Sequence, residues 1–345
     1  MEKLDLRNLS LDEVKEYLES IGEKSFRGKQ IFKWIHRGVE DIDEMTDLSK
    51  PLREKLKNDV YICNMDIVGV KESKEDGTRK YLMRLVDSNI IECVFMKYKH
   101  GNSICISTQA GCRMGCTFCA STIGGKNRDL TAGEMLGQIL KVEKDTGESI
   151  SNIVLMGTGE PFDNYDNVLK FLRLVNSKDG INIGMRHITI STCGLVPEIK
   201  RFADENIQVN LAISLHSPNN KLRCDIMPIA RKYNLDELMD ACKYYVDKTN
   251  RRITFEYSLI DGVNDLKENA LELCSLLKGI LCHVNLIPIN VVKERDYKKS
   301  RKERVASFKE ILESRGINAT VRRELGSDID AACGQLRRQY IEKLD

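Results

Sequence analysis

The chain has 345 residues, of which 41% are hydrophobic and 31% are charged, and its formal net charge is +2. This composition predicts a globular protein with one large and one smaller domain, and the small net charge means that an anionic partner would need a local basic patch. The first 30 residues lack a signal-peptide pattern and no apolar stretch is long enough to span a bilayer, so we expect a cytoplasmic protein. In that compartment the twelve cysteines are expected to be metal ligands, catalytic thiols or buried side chains rather than disulfides.

Residues 1–58 are predicted to form a small helical domain. Ser10 and Glu13 have the spacing of a capping box at the start of LDEVKEYLESIG. Two further helical segments follow it, FRGKQIFKWIHRG and PLREKLKND.

Residues 59–98 alternate in polarity around an Asp76-Gly77 turn signal, which predicts a β-hairpin extension packed on the rest of the molecule. Near its end, Glu92 is a lone charge within the apolar run IIECVFM. Such a carboxylate either faces solvent from a strand or is buried, where it would suit proton transfer.

Residues 99–345 alternate apolar, strand-like runs with amphipathic helical segments, one of them opened by a Thr131 and Glu134 capping box. The strand-like runs are SICIST (103–108), NIVLMG (152–157), HITIST (187–192), VNLAISL (209–215), RITFEYSLI (252–260) and HVNLIPI (283–289). Six βα units imply a parallel sheet with right-handed crossovers, but they are too few to close an eight-stranded barrel. We therefore predict an α/β fold with a partial (βα)6 TIM-like barrel and a site at the carboxyl ends of its strands.

Three cysteines, Cys112, Cys116 and Cys119, lie within eight residues in GCRMGCTFCAS, directly after the first of these strands. A structural zinc site, the alternative, usually takes its four ligands as two pairs, and the chain has no second pair. Three thiolates on one loop instead suit a 4Fe–4S cluster whose fourth iron stays open to a chelating substrate. Gly111 and Gly115 would let this loop wrap a cluster and direct N–H groups at its sulfurs.

The CxxxCxxC motif, with Phe118 before its last cysteine, resembles the cluster loop of the radical S-adenosylmethionine (SAM) superfamily. The resemblance implies that the open iron binds the amino and carboxylate groups of SAM. It also implies that residues at the strand ends contact SAM, with Glu160 of MGTGEPFDN beside its amino group. These residues are Gly159, Glu160, Ser191, Ser214, Leu215, His216 and Asn290. Without the resemblance, the same segments would be turns and polar strand ends.

Longer segments resemble the RlmN-type dual-specificity adenine-C2 RNA methyltransferases of that superfamily, over nearly the whole chain. The segments are CISTQAGC (105–112), MGTGEPFDNYDNVLKFLR (156–173), RHITISTCGLVPEI (186–199), RRITFEYSLIDGVND (251–265), CHVNLIPIN (282–290) and RRELGSDIDAACGQL (322–336). The last of them, which carries Cys333, is the most specific.

This resemblance implies a mechanism with two SAM molecules per turnover. One SAM methylates Cys333 on sulfur; the second, cleaved at the cluster, gives a 5′-deoxyadenosyl radical that removes a hydrogen from the S-methyl group, and the methylene radical adds to C2 of adenine. Cys105 then releases the product by forming a disulfide with Cys333, and Glu92 accepts a proton. From its strand position alone, Cys105 would be a buried core thiol. The remaining seven cysteines, among them Cys193, are expected to be structural.

The resemblance also implies the partners. They are an adenosine in the peptidyl-transferase region of 23S rRNA, the adenosine 3′ of the anticodon in some tRNAs, and a reducing electron donor of the flavodoxin or ferredoxin type. We further expect a monomer without a membrane partner.

Two basic segments are candidates for RNA contact. Residues 24–37 hold five Lys or Arg, no acid, and Phe26, Phe32 and Trp34. The segment suits phosphate contacts with base stacking, or equally an amphipathic helix with a packed apolar face. Residues 293–304 hold seven basic and three acidic residues just after the sixth strand, which predicts a phosphate-binding surface beside the site. An unpaired or extruded adenosine is the expected target.

Other functions remain open on the sequence. The related adenine-C8 methyltransferases that confer ribosomal antibiotic resistance (Cfr-like) share the cluster loop and both working cysteines. An iron–sulfur electron carrier or a non-catalytic RNA-binding protein would be a different class, but neither needs an open iron together with Cys105 and Cys333.

Overall fold

The structure, a computed structural model, describes residues 3–99, 101–290 and 295–329. The strands are β1 (Leu4–Asp5), β2 (Val60–Tyr61), β3 (Asp66–Glu72), β4 (Arg79–Arg84), β5 (Ile90–Met96), β6 (Ser103–Cys105), β7 (Gln109–Gly111), β8 (Lys126–Asp129), β9 (Asn152–Leu155), β10 (Ile188–Thr192), β11 (Asn210–Ser214), β12 (Ile253–Leu259), β13 (Cys282–Pro288) and β14 (Ala319–Val321). The helices are α1 (Leu11–Ser20), α2 (Arg27–His36), α3 (Lys50–Asp59), α4 (Ala132–Thr146), α5 (Tyr165–Val175), α6 (Val196–Asp204), α7 (Asn220–Ile226), α8 (Leu235–Thr249), α9 (Lys267–Leu276) and α10 (Lys302–Ser314).

One ten-stranded sheet, in the order β14-β13-β12-β11-β10-β9-β6-β5-β4-β3, organises the molecule. The six predicted strands are β6 and β9 to β13, and they pair in parallel as an open barrel requires, which confirms the predicted fold. A seventh parallel strand, β14, extends the barrel beyond the prediction. The extension differs from the predicted hairpin: it has three antiparallel strands, β3 to β5, and they continue the barrel sheet through β6 instead of packing on it.

The two faces of this sheet have different roles because successive side chains of a strand alternate between them. Residues such as Ile153 and Ile190 belong to the main apolar core, which they share with residues of α4 to α6 and α8 to α10; we call this the outer face. The opposite, inner face lines a cavity of about 690 Å³ with side chains that include Thr189, Asn210 and Glu256. The inner face is thus polar enough to accept a ligand, while the outer face supplies the stability.

The N-terminal helices α1 to α3 enclose their own apolar cluster, to which Leu18, Ile31 and Leu56 contribute. The predicted capping boxes of Ser10 with Glu13 and of Thr131 with Glu134 are both present. Among the described residues, no helix is long and apolar enough to cross a membrane.

Close packing attaches this helical unit to α4. The backbone N–H of Gly133 donates to Asn8 Oδ1 at 3.1 Å. A Cβ added at Gly133 would lie 2.7 Å from Asp5 Oδ2 and 2.9 Å from Asn8 N. Only glycine therefore lets the turn that precedes α1 lie directly against α4.

We expect Gly133→Ala to lower the free energy of unfolding by about 1–3 kcal/mol, the usual cost of overpacking, although alanine normally stabilises a helix relative to glycine. Urea denaturation would measure the change, and limited proteolysis would show whether residues 1–62 are released first. Lys144→Ala is the control, because it removes an exposed ion pair to Glu40 at the same interface and should cost less than about 1 kcal/mol. A stabilised Gly133→Ala protein would contradict the close-packing account.

Candidate active site

The three clustered cysteines lie on a loop whose base is closed by the antiparallel pair β7 and β8. The backbone N–H of Cys112 donates to Gly125 O at 3.0 Å. Gly111 has φ +81°, and a Cβ there would overlap the same carbonyl, so this position requires glycine. Gly115, at φ +72°, turns the chain between the first two thiols.

The thiols fit a 4Fe–4S cluster better than a single metal ion. Cys112 and Cys116 are buried and Cys119 is half-buried. Burial, helped by the neighbouring Cys119 thiol, raises the pKa of Cys112 to about 12, so a bound cation is needed to favour the thiolate of Cys112. Within the described ranges, no three His, Cys, Asp or Glu side chains converge as ligands of one ion would. A cubane has no need of such convergence, because each thiolate binds a different iron.

Contacts from two directions fix the loop. Thr122 Oγ1 donates to Cys116 O at 3.2 Å and to Cys119 O at 2.9 Å. From the other side, the backbone N–H of Thr117 donates to Ile226 O, at the end of α7, at 2.9 Å. The ring of Phe118 meets His216 edge-on with centroids 4.9 Å apart. The loop is therefore preorganised by contacts that do not involve the thiols.

A carboxylate that the sequence analysis did not single out, Asp163, joins both ends of the loop. It accepts hydrogen bonds from Gln109 Nε2 at 2.9 Å and Lys126 Nζ at 3.0 Å, and from Arg113 Nη2. Burial opposes ionisation of Asp163, but the bonds from Arg113, Gln109 and Lys126 outweigh it and hold the pKa of this carboxyl below its usual range. The sequence feature that could have identified Asp163 is its place in GEPFDN, three residues after Glu160.

Glu160 is buried at the carboxyl end of β9, next to the end of β10. Its Oε1 accepts from Phe162 N at 3.0 Å and its Oε2 from Cys193 N at 2.7 Å. Burial raises the pKa of Glu160, so a cation beside it would be needed to favour its charged form fully. Gly159, at φ +113°, is required because a Cβ would lie 2.6 Å from Gln109 Cβ.

The remaining predicted SAM contacts fall into two groups. Ser191 Oγ and Ser214 Oγ lie 3.3 Å apart at adjacent strand ends, where they form one polar patch. His216 is buried, its Nδ1 accepts from Ser258 N at 2.9 Å, and burial lowers the pKa of His216 to about 3, so the ring is neutral. Leu215 has its side chain in the main core, which leaves only its backbone for a ligand. Asn290 is exposed two residues after β13, and its side chain bonds to no described residue.

Glu92 and Cys105 share the inner face of the sheet. Val94 is directly opposite Cys105 in the β5–β6 pair, so Glu92, two residues from Val94, projects from the same face. Glu92 is 3% exposed, which excludes the solvent-facing alternative. Its Oε2 lies 3.6 Å from Nζ of Lys80, a fully buried lysine on β4 that the sequence analysis missed. Cys105 packs in a separate apolar cluster on this face, not in the helix-covered core.

Cys333 lies outside the described residues. The described chain ends at Ile329, and the segment before it, residues 322–329, crosses the inner face. Leu325 packs in the same apolar cluster as Cys105. Next to it, Gly326 N donates to Asp76 Oδ2 at 2.9 Å, in the β3–β4 turn.

The two basic segments differ in their setting. In α2 and the residues before it, Phe26 is 61% exposed with the Arg27 guanidinium 5.4 Å from its ring centroid, whereas Phe32 is buried in the main core. Trp34 is half-buried and donates to Asp47 Oδ1. The described part of the second segment, from residue 295, reaches the cluster loop: the Tyr297 hydroxyl lies 2.7 Å from Thr117 Oγ1.

Two family models match parts of this chain. Residues 4–62 match the family model described as the ribosomal RNA large subunit methyltransferase N-terminal domain, and residues 106–274 match the radical SAM superfamily. The superfamily implies a 4Fe–4S cluster and SAM as cofactors.

Relatives match along the full length. A protein from Caldanaerobacter subterraneus subsp. tengcongensis, named a probable dual-specificity RNA methyltransferase RlmN, is 60% identical over 98% of this chain and 99% of its own. One of the same name from Alkaliphilus oremlandii is 59% identical over 99% and 100%. The crystal structure of a radical SAM methyltransferase from Sphaerobacter thermophilus superposes with a TM-score of 0.92 at 45% identity, covering 96% of this chain and 98% of that one. The chain therefore belongs to the RlmN-type dual-specificity RNA methyltransferases of the radical SAM superfamily.

Proposed function

We propose that this RNA methyltransferase methylates C2 of an adenosine in the peptidyl-transferase region of 23S rRNA and of the adenosine 3′ of the anticodon in tRNA. The observation that carries the proposal is that a thiol, Cys105, and a buried carboxylate, Glu92, project from the same inner face of the sheet. An enzyme that transferred a methyl group from SAM directly would need neither. The names of the relatives and the match to an rRNA methyltransferase N-terminal domain support RNA as the substrate.

The cluster would be held by three residues, Cys112, Cys116 and Cys119, which would leave one of its four irons without a protein ligand. Glu160 is suited to the ammonium of SAM, because a buried carboxylate gains most from a cationic partner. Ser191, Ser214 and the backbone of Leu215 and His216 would hold the rest of SAM at the strand ends, with Gly159 giving close access and Asn290 contributing from the β13 side. When bound, the reduced cluster supplies the electron that cleaves SAM into methionine and a 5′-deoxyadenosyl radical.

The protein side chains then act in sequence, using two SAM molecules per turnover. The methyl group on the Cys333 sulfur would lose one hydrogen atom to the 5′-deoxyadenosyl radical, and the resulting methylene would bridge the sulfur to C2 of adenine. Glu92 would accept the proton from C2, and the unpaired electron of the adduct would leave to the oxidised cluster. The Cys105 thiolate would then attack the Cys333 sulfur, so that a disulfide forms, the bond from sulfur to carbon breaks and the released carbon takes up a proton as the product methyl group. Support for this assignment comes from Leu325, which packs beside Cys105 on the chain that leads to Cys333.

RNA would approach along both basic segments, around Phe26 and around Tyr297. Exposed lysines and arginines in 295–304 suit phosphates, and the contact of Tyr297 with the cluster loop supports an approach to the radical chemistry. We further propose a cytoplasmic monomer that receives electrons from a flavodoxin or ferredoxin type of donor.

Adenine-C8 methylation of the Cfr-like type is not favoured, since the relatives compared are named RlmN.

The decisive experiment identifies the product. Incubation of the reconstituted enzyme with SAM, a reductant and unmodified rRNA or tRNA should yield 2-methyladenosine, detected by mass spectrometry after digestion of the RNA. Detection of 8-methyladenosine in its place would overturn the regiochemistry, and absence of 5′-deoxyadenosine would overturn the radical mechanism.

Cys112→Ala is expected to remove the visible absorbance of the cluster and all RNA methylation, because two thiolates cannot replace three on this loop. Absorbance and iron content after anaerobic reconstitution would measure the loss. Cys274→Ala, on α9 and away from the loop, is the matched control and should keep both. Full iron content in Cys112→Ala would contradict the ligand assignment.

Cys105→Ala should trap a covalent adduct between RNA and Cys333, since no thiolate is present to release the product. A slowly migrating band on a denaturing gel, sensitive to ribonuclease, would report it. Cys93→Ala is a close control, because Cys93 is next to Glu92 in β5 but projects into the main core on the outer face. Turnover at the wild-type rate by Cys105→Ala, with no adduct, would refute the resolving role.

A further inference from the structure

A buried arginine, Arg223 of α7, lies beneath the cluster loop and has no role in the function proposed above. It has no exposed surface. Its Nη2 donates to Cys193 O at 2.7 Å and to Ser214 O at 3.4 Å, and its Nε donates to Leu215 O at 3.2 Å. Its Nη1 has no hydrogen-bond acceptor in the described chain.

The charge of Arg223 has no counterion among the described residues. No carboxylate there forms an ion pair with it, and the acceptors that it does have are neutral backbone carbonyls. A guanidinium stays protonated in proteins, so burial does not remove this charge. An uncompensated buried charge is strongly unfavourable, which favours a negative group nearby in the loaded enzyme.

Cys116, one of the three thiols of the proposed cluster site, lies close enough to Arg223 for their charges to interact, and so does Cys193. The helix that carries Arg223 ends at Ile226, whose carbonyl accepts from Thr117 in the cluster loop. Ile226 and Met227 pack with Cys116 and Cys193 in one apolar cluster. Arg223 and Cys116 are therefore both buried beside apolar side chains, where charges interact more strongly than in water.

The proposed cluster would supply the missing negative charge. A 4Fe–4S core of charge 2+ with three thiolates carries a net charge of −1. One electron from a low-potential donor makes this −2, with no proton taken up. A fixed positive charge stabilises the reduced state more than the oxidised one, and net charge near a cluster is among the factors that set its reduction potential.

We propose that Arg223 is the buried countercharge of the iron–sulfur cluster and raises its reduction potential. The proposal rests on the proposed function, because it requires the cluster at Cys112, Cys116 and Cys119. Arg223 acts through its charge on the transfer of an electron to the cluster, and it contacts neither SAM nor RNA. If the arginine merely joined the ends of β10 and β11 through its three carbonyl contacts, its removal would change stability and leave the potential unchanged.

A redox titration of the reconstituted holoenzyme without SAM, followed by the EPR signal of the singly reduced cluster, tests this proposal. Arg223→Met removes the charge and should make reduction at least tenfold less favourable, a shift of about 59 mV to more negative potential for one electron. Arg223→Lys keeps the charge and should stay closer to wild type. Arg113→Met is the matched control: Arg113 adjoins Cys112 but is exposed and ion-paired with Asp163, so solvent should screen its effect.

Arg223→Gln is a second neutral variant, because its amide nitrogen replaces Arg223 Nε and can still donate to the Leu215 carbonyl. A shift in every neutral variant that folds with full iron content, absent in Arg223→Lys and Arg113→Met, supports the countercharge role. A wild-type midpoint in any such neutral variant overturns it. So does failure of both neutral variants to fold, which would assign the arginine to the strand ends. Wild-type protein that binds no cluster would overturn the proposed function as well.

Discussion

The register of β5 against β6 is the constraint on which the site depends. Because Val94 is opposite Cys105, the antiparallel extension delivers Glu92 to the inner face of a sheet whose other strands are parallel. A slip of one residue would turn Glu92 into the helix-covered core and bring Cys93 to the inner face. The same pairing makes the extension part of the barrel, so the carboxylate and the thiol are held by one continuous ladder of backbone hydrogen bonds.

The sequence was sufficient for the features that leave a local pattern. Six apolar runs with helices between them predicted the parallel strands, and the cysteine spacing predicted the loop at the end of the first strand. The side of β6 on which Cys105 lies could not be predicted, since a three-residue strand has too little alternation to define a face. The seventh strand, β14, is likewise three residues long and half exposed. The burial of Lys80 and Arg223 could not be predicted from the sequence, because a charged residue ordinarily indicates contact with solvent.

Buried charges around the site have three different kinds of partner. Lys80 is paired with Glu92, and Asp163 takes bonds from three cationic or amide donors. Arg223 has only carbonyl acceptors among the described residues. Each arrangement is costly to assemble in a dry interior and therefore gives less stability than apolar packing would. Their location around the proposed site is consistent with selection for chemistry over stability.

The segment of residues 322–329 joins the two margins of an incomplete barrel. It begins where Arg322 N donates to Leu286 O on β13 and ends where Lys74 N donates to Asp328 Oδ2, beyond β3. Among the described residues, only isolated hydrogen bonds cross this gap, each worth about 1 kcal/mol, where a closed barrel has a strand ladder. The barrel is consequently stiff where its strands are hydrogen-bonded to one another, and it deforms more easily at the gap that residues 322–329 span. A macromolecule that binds against the inner face would therefore widen this gap before it bent the sheet.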